Sequence, residues 1–121
     1  MVFFLLLLAT IRTATAETTP LKTRMITAAV LNDFPPLYTR DDAGNPAGFA
    51  IDILERVATD SGLTIRYLPV ENWSKAMQAV RSGEADLIPG IGISPVRSAE
   101  FTFSEKIETI PVSYFVRTSN R

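Results

Sequence analysis

"ADLIPGIGISPVR", Ala85 to Arg97, is the stretch on which the reading of this chain turns. Its first five residues form a short apolar run of the kind that makes a buried strand. "GIGIS" then lies just past that strand's carboxyl end. Ser94 is a good helix N-cap and Pro95 a favoured first helical residue. Gly90 and Gly92 remove side chains at two nearby positions, which lets backbone come close to another molecule. Arg97 follows in the first helical turn, where the helix dipole disfavours a cation, so its placement points to a purpose other than helix stability. A guanidinium there can clamp a carboxylate through two parallel hydrogen bonds. The competing reading is a surface pair with Glu100.

Working backward, strand and helix signals alternate. Gly83 closes a helix expected over Trp73 to Ser82, capped by Asn72, with an apolar stripe of Trp73, Ala76, Met77 and Val80. "LTIRYLPV", Leu63 to Val70, reads as a strand with Leu63, Ile65 and Tyr67 on one face. Gly62 stops a helix expected from Phe49 to about Thr59, with Ala50, Ile53, Leu54 and Val57 on its apolar stripe. Asp41 to Pro46 is a run of turn formers, read as a hairpin-like excursion and not as a metal site. "MITAAVL", Met25 to Leu31, reads as a buried strand, broken by "NDFPPLY" because Pro35 and Pro36 cannot join a central ladder. Downstream, "IPVSYFVR", Ile110 to Arg117, alternates and is β-rich, which predicts a fourth strand. This order implies an α/β fold around a parallel sheet with right-handed crossovers. Ligands of such sheets sit beyond the carboxyl ends of the strands, where "GIGIS" lies.

The 121 residues include 12 basic and 13 acidic side chains, a formal net charge of -1. That balance argues against nucleic acid, which usually needs a basic face, and no polybasic run favours an anionic membrane. With no cysteine and no histidine, disulfides cannot form, a transition-metal site lacks its usual ligands, and histidine-activated nucleophiles are ruled out. No acid–base pair stands out, so the expectation is a non-enzyme without cofactor. Val2 to Leu8 is an unbroken apolar run, and Ala14-Thr15-Ala16 is a small-x-small site. Residues 1–16 therefore read as a secretory signal cleaved after Ala16, although no Lys or Arg precedes the run. The run is too short to cross a bilayer. Residues 17–24 read as a flexible linker and 25–121 as one domain.

From about Met25 to Arg117 the chain resembles the amino-terminal lobe of the family 3 periplasmic solute-binding proteins, which have a two-lobed Venus flytrap fold. The resemblance rests on "DFPPLY", "GNPAGFAIDILERVA", "GEADLIPGIGISPVRSAEFTFS" and "PVSYFVR" together. It implies that Phe34 packs against the ligand's side chain and that Trp73 forms a second aromatic wall. It implies ligand contacts from Gly90 and Gly92, a hydroxyl from Ser94, and a grip on the ligand carboxylate by Arg97. Amino-acid-binding relatives often carry Ser or Thr where this chain has Gly90 and Gly92, and each lost hydrogen bond is worth about 1 kcal/mol. The resemblance puts the crossover to a second lobe near the end of the chain, so the sequence reads as the truncated first part of such a domain.

Three functions fit this resemblance. The first is extracytoplasmic binding of an amino acid or similar small carboxylate for delivery to a membrane permease of the ABC type. The second is the sensing lobe of a membrane histidine kinase or diguanylate cyclase, in which a signalling domain is the partner. The third is a module of a periplasmic enzyme on the same fold.

Overall fold

The computed structural model describes residues 24–120. The expected leader, and the linker up to residue 23, lie outside the described residues. Arg24, the last residue of that linker, already opens the first strand.

Strand β1 (Arg24–Leu31) sits at the centre of the sheet. Two short strands follow, β2 (Thr39–Arg40) and β3 (Pro46–Ala47), and then helix α1 (Phe49–Ser61). The chain continues through β4 (Leu63–Val70), α2 (Trp73–Ser82) and a single helical turn, α3 (Pro95–Ser98). A last 3₁₀ turn spans Thr118–Asn120. β1 and β4 run parallel in register from Arg24 opposite Leu63 to Leu31 opposite Val70. On its other edge β1 meets the "ADLIP" segment, where Leu87 bridges Ala28 in parallel and Ala29 N–H donates to the Leu87 carbonyl at 2.9 Å. The Asp86 carboxylate accepts from Thr27 N–H at 2.8 Å on the same edge.

This placement explains two sequence patterns. β1 is flanked on both edges and buried from Thr27 to Leu31, and a strand covered on both faces reads as a continuous apolar run. β4 pairs only with β1 among the described residues and alternates in exposure. A strand with one free edge also tolerates Pro69, which has no N–H to offer.

The helices end where the glycines said they would. Gly62 (φ 65°) and Gly83 (φ 78°) adopt the left-handed conformation that closes α1 and α2. Asn72 caps α2, its side-chain oxygen accepting from Lys75 N–H at 3.0 Å. The start of α1 has a different solution. Gly48 has φ 111°, and a Cβ there would lie 2.7 Å from the Leu37 carbonyl oxygen. Without that Cβ the chain comes close enough for Phe49 N–H to donate to Pro36 O at 3.0 Å and Ala50 N–H to Leu37 O at 3.1 Å. Two of the helix's orphan donors are thereby satisfied by the preceding loop.

The buried core is made largely of alanines: Ala28, Ala29, Ala50, Ala76, Ala79 and Ala85, with Val30, Leu31, Leu37, Ile51 and Tyr38. Small side chains let α1 and α2 lie close against the sheet. Among the side chains less than 2% exposed, Tyr38 and Val30 are the largest.

Three expectations need correction. Of the stripe expected on α1, Ala50 is buried and Leu54 packs on the core, but Ile51 and Ala58 complete the buried face and Val57 is half exposed. "ADLIP" contributes a single bridge rather than a strand. Ile110 to Arg117 forms no strand, and Val112, Tyr114 and Phe115 are almost fully exposed. An alternating pattern becomes a strand only when a neighbour takes its backbone N–H and C=O groups, and no described segment pairs with this one. The expected excursion after β1 is present as the β2–β3 hairpin, Thr39 opposite Ala47. Asp41 holds its turn, accepting from Asn45 N–H at 2.8 Å and Ala43 N–H at 3.0 Å.

Candidate ligand-binding site

The six residues singled out from the sequence fall into two adjoining groups. Phe34 and Trp73 meet edge to face, with ring centroids 5.3 Å apart and an interplanar angle of 77°. Phe34 stands on the loop after β1, and Trp73 is the first residue of α2. Trp73 is half-buried and packs on the core, whereas Phe34 is 41% exposed. The aromatic pair is therefore a wall with its foot in the core and its upper edge in solvent.

Gly92, Ser94 and Arg97 form the second group. Ser94 caps α3, with its Oγ accepting from Arg97 N–H at 3.4 Å, a long contact. Arg97 folds back so that Nη1 donates to the Gly92 carbonyl at 2.8 Å. The expected alternative, a pair with Glu100, is not what forms. Glu100 is gripped by Arg81, one of whose Nη atoms lies 2.7 Å from Oε2, and Arg81 also lies over the Phe101 ring at 5.5 Å. Arg97 has no acidic partner among the described residues. A groove of about 380 Å³ between α2 and α3 is lined by Met77, Arg81, Ser94, Val96, Arg97 and Glu100. It takes in Ser94 and Arg97 and leaves Gly92 and the aromatic wall outside.

Gly90 links the groups, through a residue that the sequence reading passed over. The Tyr38 hydroxyl accepts from Gly90 N–H at 2.7 Å and donates to the Gly90 carbonyl at 2.8 Å. The Tyr38 backbone pairs with Phe34 in both directions, at 2.9 and 3.0 Å. Its ring lies 6.0 Å from Trp73, centroid to centroid. Burial pushes the Tyr38 hydroxyl up to about 12, against the opposing pull of the bond to Gly90. It therefore keeps the proton it donates. The signal was available in "DFPPLY": an aromatic residue directly after Leu37, whose carbonyl meets the start of α1.

The two glycines have different reasons to be glycine. A Cβ on Gly90 would stand 3.1 Å from the Ala50 Cβ, so the loop is packed tightly onto α1. Its N–H, expected to face a ligand, is taken by Tyr38. A Cβ on Gly92 would meet only the Arg97 Nη1, at 3.4 Å. Backbone N–H groups from Ile91 to Ser94 find no acceptor among the described residues. Gly90→Ala should thus cost about 1 to 2 kcal/mol through overpacking, and Gly92→Ala less than about 0.5 kcal/mol. Urea denaturation midpoints of the two variants check this; equal midpoints would show that Gly90 is not pressed onto α1.

Residues 26–121 match the family described as bacterial extracellular solute-binding proteins, family 3. The chain belongs to this family. Among the relatives, the amino-acid-binding protein AabA of Dichelobacter nodosus is 27% identical over 79 residues, which cover 62% of this chain and 31% of that protein. The chain thus spans about a third of the length of this curated relative. An ancestral arginine-binding protein, solved bound to glutamine, superposes with a TM-score of 0.63 at 26% identity, over 67% of this chain and 36% of that one. The periplasmic domain of BvgS from Bordetella pertussis shares the fold, with a TM-score of 0.60 at 24% identity, over 62% of this chain and 15% of that one. The α/β lobe with its parallel β1–β4 pair is the fold of these two-lobed solute-binding domains, covered in part.

Proposed function

We propose that this chain supplies one wall of a cleft that binds an amino acid or a similar small carboxylate outside the cytoplasm, for delivery to a membrane permease. The observation that carries this reading is Arg97. It is a fixed cation without an acidic partner among the described residues, steadied at one nitrogen by the Gly92 carbonyl. The neighbouring N–H groups from Ile91 to Ser94 can add donors to the same anion. The Phe34–Trp73 wall gives a side chain an apolar surface to lie on. α3 is only one turn long, so the weight falls on the guanidinium and the loop rather than on a helix dipole. The names of AabA and of the arginine-binding protein support an amino acid as the ligand. Binding, and not catalysis, is the work proposed for these residues. Export would follow from the leader read in residues 1–16, with the mature domain from about residue 25.

Calorimetric titration with L-glutamine, L-arginine and other small carboxylates tests the reading. Arg97→Ala should abolish measurable binding. Arg97→Lys, which keeps the charge but loses the fork, should weaken it about tenfold or more. If wild type binds a carboxylate and both variants bind it equally well, Arg97 is a surface residue and the reading fails.

A further inference from the structure

We infer that Tyr38 is the positioning residue of this site, its hydroxyl holding both backbone polar groups of Gly90 and so locking the Gly92–Arg97 loop to the Phe34–Trp73 wall. The inference rests on the proposed binding reading and adds to it a residue that need not touch the ligand.

Four observations meet at this side chain. Tyr38 is 1% exposed, so its hydroxyl is shielded from water. That hydroxyl uses both its donor and its acceptor capacity on one residue, Gly90. Its backbone is bonded in both directions to Phe34, and its ring edge meets Trp73. Three segments distant in sequence are therefore joined by one residue: the loop after β1, the head of α2 and the loop before α3. The Gly90 N–H belongs to the Pro89–Gly90 peptide and its C=O to the Gly90–Ile91 peptide, so the one hydroxyl holds the two peptide planes that flank Gly90. Gly90 lies two residues before Gly92, whose carbonyl holds Arg97. Fixing the backbone on both sides of Gly90 therefore sets where the guanidinium stands relative to the aromatic wall. Ordering the loop before binding removes an entropy cost that the ligand would otherwise meet.

The test compares Tyr38→Phe with Tyr67→Phe in the full chain. Tyr67 is a useful control because its hydroxyl also donates to a partner on another element, the Glu55 carboxylate on α1, and its side chain makes no hydrogen bond to the six site residues. Two readouts are taken: amide hydrogen exchange at Gly90 by NMR, with Ala28 and Ala29 of β1 as internal references, and titration with L-glutamine and L-arginine. Tyr38→Phe should speed Gly90 exchange at least about tenfold relative to the β1 amides and weaken binding by about the same factor. Tyr67→Phe should change neither, even where it lowers overall stability. Unchanged Gly90 exchange in Tyr38→Phe overturns the inference, as does unchanged affinity in a protein that binds. If wild type binds neither amino acid, the ligand reading is what fails, and Gly90 exchange alone then decides the role of Tyr38.

Discussion

Gly48→Ala is expected to be the most damaging single-atom-scale change in the lobe, costing at least about 3 kcal/mol. Two effects add. The backbone at Gly48 has φ 111°, which a side chain rarely adopts and which costs about 1 to 3 kcal/mol. The new Cβ would also lie 2.7 Å from the Leu37 carbonyl oxygen and 3.0 Å from Pro36 O, both fixed backbone atoms. To relieve the contact, the 36–37 loop must move away from the start of α1. The bonds from Phe49 N–H and Ala50 N–H would then be lost. Ala50 is the residue against which Gly90 packs, so the disturbance reaches the binding loop. Gly44→Ala provides the contrast. Gly44 also has a positive φ, 84°, but a Cβ there meets nothing within 4 Å. It should cost only the left-handed strain, about 1 to 2 kcal/mol. Denaturant midpoints of the two variants measure the difference. Equal losses would show that backbone strain, and not the contact with the 36–37 loop, is what makes Gly48 a glycine.

Trp73→Ala should cost about 2 to 4 kcal/mol, somewhat below the loss for a fully buried tryptophan because Trp73 is half-buried. The indole is the common neighbour of Phe34 and Tyr38, and it anchors the first turn of α2 to the core. Phe34→Ala should cost only about 1 kcal/mol, because that ring is already 41% exposed. Ligand binding reverses the comparison. Phe34→Ala should lose affinity out of proportion to its small effect on stability, while Trp73→Ala should lose both together. Thermal melts paired with titration separate the two residues. A Phe34→Ala variant with full affinity would assign that ring to the surface.

How much of this was readable from the sequence depends on what each signal encodes. β1, α1, β4 and α2 were legible because apolar periodicity and the stop glycines, Gly62 and Gly83, are local. The cap at Asn72 and the start at Ser94 and Pro95 were legible for the same reason. The edge of the buried face of α1 was not legible, because hydropathy ranks Val57 above Ala58 while the structure exposes the first and buries the second. "IPVSYFVR" has every local property of a strand, but pairing is a property of two segments and cannot be read from one. Tyr38 escaped notice because its importance lies in Gly90, 52 residues away. The contact that a Cβ on Gly90 would make with Ala50 is likewise a matter of packing between distant segments, which no local pattern announces.

The alanine core changes which mutations this lobe has to fear. In a core of leucines and phenylalanines the common damage is a hole. Ala28, Ala29, Ala50, Ala76 and Ala79 have almost nothing to lose, being between 0% and 3% exposed and one carbon long beyond the backbone. The alanine codons, however, lie one base away from valine, threonine, serine, proline, aspartate, glutamate and glycine. All but the last insert atoms where there is no room. Random drift at these five positions therefore acts as a wedge between helix and sheet, and compensation has to come from a neighbour growing smaller.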